Sequence, residues 1–89
     1  MPCDTKELRR ILSDSFFRKF DKEDHLTIIA NGNEYDITRA SSDFGVILCD
    51  GNKDIFDDII VHKTEIIFSK FDKHVLKLEC ESIDYYEVE

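Results

Sequence analysis

The sequence predicts an α+β fold in which an N-terminal amphipathic helix packs on a five- or six-stranded, mainly antiparallel sheet or a small bent barrel. Three observations carry this. Apolar residues at 3–4 spacing fill one stripe of residues 4–20, period-two alternation recurs through most of the remaining chain, and Asn31-Gly32 supplies the two positive-φ positions of a tight hairpin. The 89 residues fit a single domain spanning 1–89, near the lower limit for a core without disulfide or metal staples. A hydrophobic content of 42% places the chain among folded rather than disordered sequences.

The helix is expected over about 4–20. Asp4 is a good N-cap and Glu7, three residues on, completes a capping box. Leu8, Ile11, Leu12, Ser15, Phe16 and Phe20 form the apolar face, while Arg9, Arg10, Arg18 and Lys19 take the wetter side. Four charged residues, Asp21 to Asp24, end it. Strands follow at about 25–30 and 33–39, joined by Asn31-Gly32. Leu26, Ile28 and Ala30 alternate with Thr27 and Ile29, and Tyr35 and Ile37 share one face of the return strand with Glu34, Asp36 and Thr38 on the other. A third strand, 44–49, loses alternation and is expected to be buried on both faces.

Asp50 to Asp54 reads as a turn. Residues 55–61 suit a helical turn through Ile55, Phe56, Ile59 and Ile60, or a strand through Ile59-Ile60-Val61. A strand is assigned to 58–62, followed by strands at 64–69 and 74–81. Beyond them the large residues change phase to Ile83 and Tyr85, which predicts a bulge or bend near Glu81–Ser82 and an edge strand or tail at 83–88. The expected core is Leu8, Ile11, Leu12, Phe16, Phe20, Leu26, Ile28, Val46, Leu48, Ile67, Leu76 and Leu78.

Phe-x-Lys-Phe-Asp-Lys occurs twice, at Phe17–Lys22 and Phe68–Lys73. The first copy leaves a helix and the second joins two strands, so the two are convergent charged turns rather than a duplicated unit. Phe20 is expected to be buried and Phe71, at a hairpin tip, exposed.

Net charge is −8, unevenly spread: residues 1–22 sum to +2 and residues 23–89 to −10. Such a body repels nucleic acid and anionic membrane and attracts basic protein surfaces. No apolar run approaches a membrane span. Cys3, Cys49 and Cys80 are odd in number and widely spaced, which favours a reducing compartment and a cytoplasmic protein. The three histidines, His25, His62 and His74, lack zinc-site spacing. Carboxylates beside Cys49 and Cys80 oppose a reactive thiolate, and the serines lack a nucleophile-elbow pattern. No catalytic, cofactor-binding or metal-ligating set is therefore expected, and the protein reads as non-enzymatic.

The remaining signal is acidic. Asp50, Asp54, Asp57 and Asp58 crowd one region; Glu79, Glu81, Asp84, Glu87 and Glu89 crowd the C-terminus around Tyr85 and Tyr86. Carboxylates on a rigid scaffold can imitate a phosphate backbone, and tyrosines anchor interfaces. The leading expectation is an interaction or inhibitory module for a basic partner surface, such as a nucleic-acid-binding protein. A structural subunit pairing through a sheet edge, as a homo-oligomer or with a partner, is another.

Asn31-Gly32, Asp43 and Val46-Ile47-Leu48, with the N-terminal helix before them, resemble the first motif of Sm-like proteins of the bacterial Hfq type across residues 5–69. The resemblance implies a bent five-stranded barrel, assembly into a ring, and RNA contacts at Asp43, Phe44, His62 and Lys63.

Overall fold

The computed structural model describes residues 4–89, without the side chains of residues 14 and 15; Cys3 and the Ser15 side chain lie outside it. The N-terminal helix runs as α1 (Lys6–Arg10), a π-helical stretch (Ile11–Ser15) and α2 (Phe16–Lys19). Thr5 rather than Asp4 is the N-cap, its carbonyl accepting the Arg9 N–H at 2.9 Å, while the Asp4 carboxylate accepts the Lys6 N–H at 3.0 Å. Glu7 pairs with Arg10 at 2.6 Å instead of turning back. Leu8, Leu12, Phe16 and Phe20 are all buried. They recur every four residues, slightly more than one α-turn, so an ideal helix would rotate the stripe away from the core; the wider π-turns take up the excess.

Eight strands follow: β1 (His25–Ala30), β2 (Asn33–Arg39), β3 (Gly45–Cys49), β4 (Asn52–Phe56), β5 (Asp58–Val61), β6 (Glu65–Lys70), β7 (Lys73–Glu79) and β8 (Ile83–Val88). They form two antiparallel sheets, β4-β3-β2-β1-β8 and β5-β6-β7. Both sheets are open, so the architecture is broadly α+β with a short helix, and the expectation of one sheet or a closed barrel is corrected.

The expected Asp50–Asp54 turn shrinks to Asp50-Gly51, both at positive φ, and the chain pairs again from Asn52 opposite Cys49. Residues 55–61 are strand, broken at Asp57, whose N–H bonds to the Ser69 carbonyl at 2.9 Å. The strand expected over 74–81 ends at Glu79, and the expected bulge or bend is a 3₁₀ turn at Cys80–Ser82. β8 then returns beside β1 with an irregularity between Ile29 and Ala30.

The helix and the inner faces of both sheets enclose the core. Phe56 is its centre: its ring lies 5.6 Å from Phe16 and 5.0 Å from Phe68, linking the helix, β4 and β6. Gly45, on the neighbouring strand, makes room. A Cβ there would lie 2.6 Å from both Cε atoms of Phe56 and closer still to Cζ. Ile37, Ile66 and Ile83 are also fully buried, although the expected core omitted them. Leu48, expected inside, is 41% exposed because its register puts it on the outward side of β3, opposite Asp36 and Lys53; Ile11 and Leu76 are half-buried.

Arg39 joins the helix end to the following loop. Its guanidinium donates to the carbonyls of Phe20 at 2.6 Å, Ser41 at 2.9 Å and Ser42 at 3.4 Å. A cation at a helix C-terminus satisfies an orphan carbonyl and favours the dipole.

Phe20 is 5% exposed and Phe71 76%. Phe71 (φ 51°) and Asp72 (φ 64°) form the two-residue turn between β6 and β7. A bulky side chain in the left-handed region costs roughly 1–2 kcal/mol.

Two stability changes are expected. Gly45→Ala should lower unfolding free energy by roughly 1–3 kcal/mol through the clash with Phe56. Phe71→Asn should raise it by about 1 kcal/mol by relieving the turn. Urea unfolding midpoints at unchanged slope check both.

Candidate functional site: the outer sheet face and two grooves

Alternation and register assign the outer face of the five-stranded sheet. His25, Thr27 and Ile29 of β1 point outward, as their buried neighbours Leu26, Ile28 and Ala30 point in. Pairing then aligns Glu87, Thr27, Asp36, Leu48 and Lys53 in one row across β8, β1, β2, β3 and β4. A second row holds Tyr85, Ile29 and Glu34. A third runs Glu89, His25, Thr38, Val46 and Ile55, with Glu89 and His25 exchanging backbone hydrogen bonds at 2.8 and 3.2 Å.

This face has two halves. Over β1, β2 and β8 lie Glu34, Asp36, Glu87 and Glu89 around Tyr85. Over β3 and β4 lie Val46, Leu48, Lys53 and Ile55, of which Val46 is buried and the others exposed. The Thr27 hydroxyl donates to Asp36 at 3.2 Å and the Tyr85 hydroxyl to Glu87 at 2.8 Å, which fixes these carboxylates in place. The bond to Glu87 pushes the Tyr85 phenol above its ordinary pKa, with smaller contributions from burial and from the Glu87 and Glu89 charges.

Of the residues singled out from sequence, Tyr85 and Glu87 share this face. Asp84 is exposed at the register irregularity where β8 passes Ile29 and Ala30, and Tyr86 packs against the core. Asp50 sits on the β3–β4 turn, and Asp54 pairs with Ile47 on the opposite side of β4 from Ile55. Asp58 opens β5, its carboxylate accepting the Ile59 N–H at 2.9 Å. Glu79 and Glu81 border a recess of about 330 Å³ with Lys63 and Glu65, beside the Glu65–Lys77 ion pair at 3.2 Å. The two acidic runs therefore do not form two clusters. Glu89 of the C-terminal acidic run joins this face, and Glu34 and Asp36, absent from the expected set, join it as well; the alternation of Glu34, Asp36 and Thr38 was their signal.

His62 and Lys63 occupy the β5–β6 turn and line a shallow groove of about 440 Å³ with Lys6, Arg9, Arg10, Ser13 and Val61. The buried Arg9 Nε has no hydrogen-bond partner among the described residues. Asp43 and Phe44 lie elsewhere, in a second groove with Phe17, Ser42, Asp57 and Phe71. The four positions implied by the Sm-like resemblance thus divide between two grooves.

Burial, then Asp50 and Asp36, push the Cys49 thiol upward, which disfavours its thiolate. Among the described residues no three or more His, Cys, Asp or Glu gather as metal ligands, and no helix is long and apolar enough to cross a membrane. No family model matches the chain, and no curated protein or solved structure matches it.

Removing the Glu87 acceptor should return the Tyr85 pKa toward the ordinary phenol value. The Tyr85 ¹³Cζ resonance in Glu87→Ala should titrate at lower pH than in the parent. An unchanged titration would show that the hydrogen bond does not hold the phenol.

Proposed function

We propose that this chain is a non-enzymatic interaction module that presents the acidic half of its outer sheet face to a basic protein surface. The observation that supports this reading most is the gathering of Glu34, Asp36, Glu87 and Glu89 from β1's two neighbours around Tyr85. Two of these carboxylates are already oriented by hydroxyl donors, so less side-chain freedom is lost when a partner cation arrives. The adjoining Leu48 and Ile55 add an apolar area that excludes water from the contact. A surface of this kind can occupy the basic groove of a nucleic-acid-binding protein and inhibit it.

A second reading, direct RNA binding by an Sm-like subunit, draws on the basic groove. There Lys6, Arg9 and Arg10 of the helix meet His62 and Lys63, giving local positive charge on an otherwise acidic chain.

Fluorescence anisotropy with two labelled probes, a nona-arginine peptide and oligouridylate, separates the readings. Under the first, nona-arginine binds with an affinity that falls at least tenfold between 50 and 500 mM KCl. Binding drops far more in Glu34→Lys/Asp36→Lys/Glu87→Lys than in Asp50→Lys/Asp54→Lys/Asp58→Lys, which changes charge equally. Equal losses in the two variants, or salt-indifferent binding, would overturn it. Oligouridylate binding weakened by Lys63→Ala, together with a ring-sized mass by light scattering, would favour the second.

A further inference from the structure

The groove between the helix end, the 40–44 loop and the β6–β7 turn shows chemistry of its own. Its lining is Phe17, Ser42, Asp43, Phe44, Asp57 and Phe71 around about 450 Å³ of open space. Three aromatic rings and two carboxylates are present, and no lysine or arginine lines it. Neither Asp43 nor Asp57 has an ion-pair partner among the described residues. Phe44 is 41% exposed and Phe71 more so.

Phe71 occupies a conformation that its type disfavours. The other two-residue hairpin turns of this chain use Asn31-Gly32 and Asp50-Gly51 at the same positive-φ positions. Phe71-Asp72 breaks that rule with an aromatic ring that the fold leaves in solvent, so core packing does not explain it. The ring already attracts one ammonium: Lys70 Nζ lies 5.5 Å from its centroid. The loop carrying Asp43 and Phe44 is anchored by the Arg39 guanidinium to the helix end, so both are held facing Phe17.

We infer that this groove takes a basic side chain of a partner protein, its stem against Phe17, Phe44 and Phe71 and its cationic head at Asp43 and Asp57. Aromatic faces attract cations through their quadrupole, and the aliphatic stem of lysine or arginine covers apolar surface while the head stays polar. The two carboxylates supply the complementary charge and repel a phosphate backbone, which argues against RNA as occupant. The groove is separate from the outer sheet face, so this inference stands whether or not that face binds a partner.

The test uses ¹⁵N-labelled full-length protein and three capped peptides: Gly-Leu-Arg-Leu-Arg-Gly, the same with glutamine for arginine, and Gly-Gly-Arg-Gly-Arg-Gly. The first peptide should shift the amides of residues 17, 42–44, 57 and 71. The glutamine peptide should bind at least tenfold more weakly, and the leucine-free peptide more weakly than the first. Phe71→Asn, a variant expected to fold at least as stably, should weaken the first peptide at least fivefold, and Asp57→Asn likewise. The triple reversal on the sheet face should leave these shifts in place, which separates failure here from failure of the sheet-face reading. Absence of groove shifts, equal binding of the glutamine peptide, or full affinity in Phe71→Asn would each overturn the inference. So would oligouridylate shifting the same amides, or a concentration-dependent dimer abolished by Phe71→Asn, since either gives the groove another occupant.

Discussion

The fold depends on one close approach: the Phe56 ring against the backbone of Gly45. Phe56 sits on β4, the last strand of the five-stranded sheet, yet its ring reaches Phe16 and Phe17 of the helix and Phe68 of the other sheet. Each such aromatic pair contributes about 0.5–1.5 kcal/mol beyond burial, and the buried ring itself roughly 1.5–3 kcal/mol. No other side chain touches helix and both sheets through ring contacts among the described residues. A methyl group at position 45 displaces that ring and therefore acts on all three layers at once. In a chain of 89 residues, where total stability is of order 5–15 kcal/mol, a junction of this size decides whether the layers hold together.

Seating Phe56 inward has consequences for the surface. Alternation then sends Ile55 out, and the register with β3 sends Val46 and Leu48 out beside it. The helix covers inner faces, and among the described residues no helix or second sheet lies over the outer face of the five-stranded sheet, where Leu48 and Ile55 are exposed. Its charges are sorted by the same geometry: acids fall on outward positions of β2 and β8, while the helix's cations meet the β5–β6 turn. The molecule is therefore bipolar despite a net charge of −8. Acidic and basic surfaces on one small domain can each select a partner of opposite sign, and steering by such fields depends on local arrangement more than on the total.

The helix, the Asn31-Gly32 hairpin and the phases of β1, β2 and β7 were legible because each rests on local periodicity or turn chemistry. The helix's π-stretch was not, since it answers a drift visible only once Leu8, Leu12, Phe16 and Phe20 must face one core. β4 was missed because Asn52-Lys53-Asp54 has poor strand propensity; pairing with β3 and the buried Phe56 override it. The division into two sheets turns on Asp57 and its backbone bond to Ser69, a long-range contact with no local signature. For the candidate site, Tyr85 and Glu87 were legible as an acidic aromatic edge. Glu34 and Asp36 joined them only through cross-strand register, which a one-residue slip would have reversed.

The three hairpin turns serve as controls on one another. All connect antiparallel strands through two residues at positive φ, and two use the residue types that this geometry favours. The third places phenylalanine there and leaves it in water. Natural sequences mostly agree with their folds at every level, and departures concentrate where something besides folding constrains the residue. Phe20, in the same Phe-Asp-Lys setting, is buried and packs at 4.7 Å on Phe16, so its identity is explained by the core. Phe71 has no such explanation. Its neighbours across the groove are two other aromatic rings and two carboxylates, and that setting gives the ring a use that the hairpin alone does not.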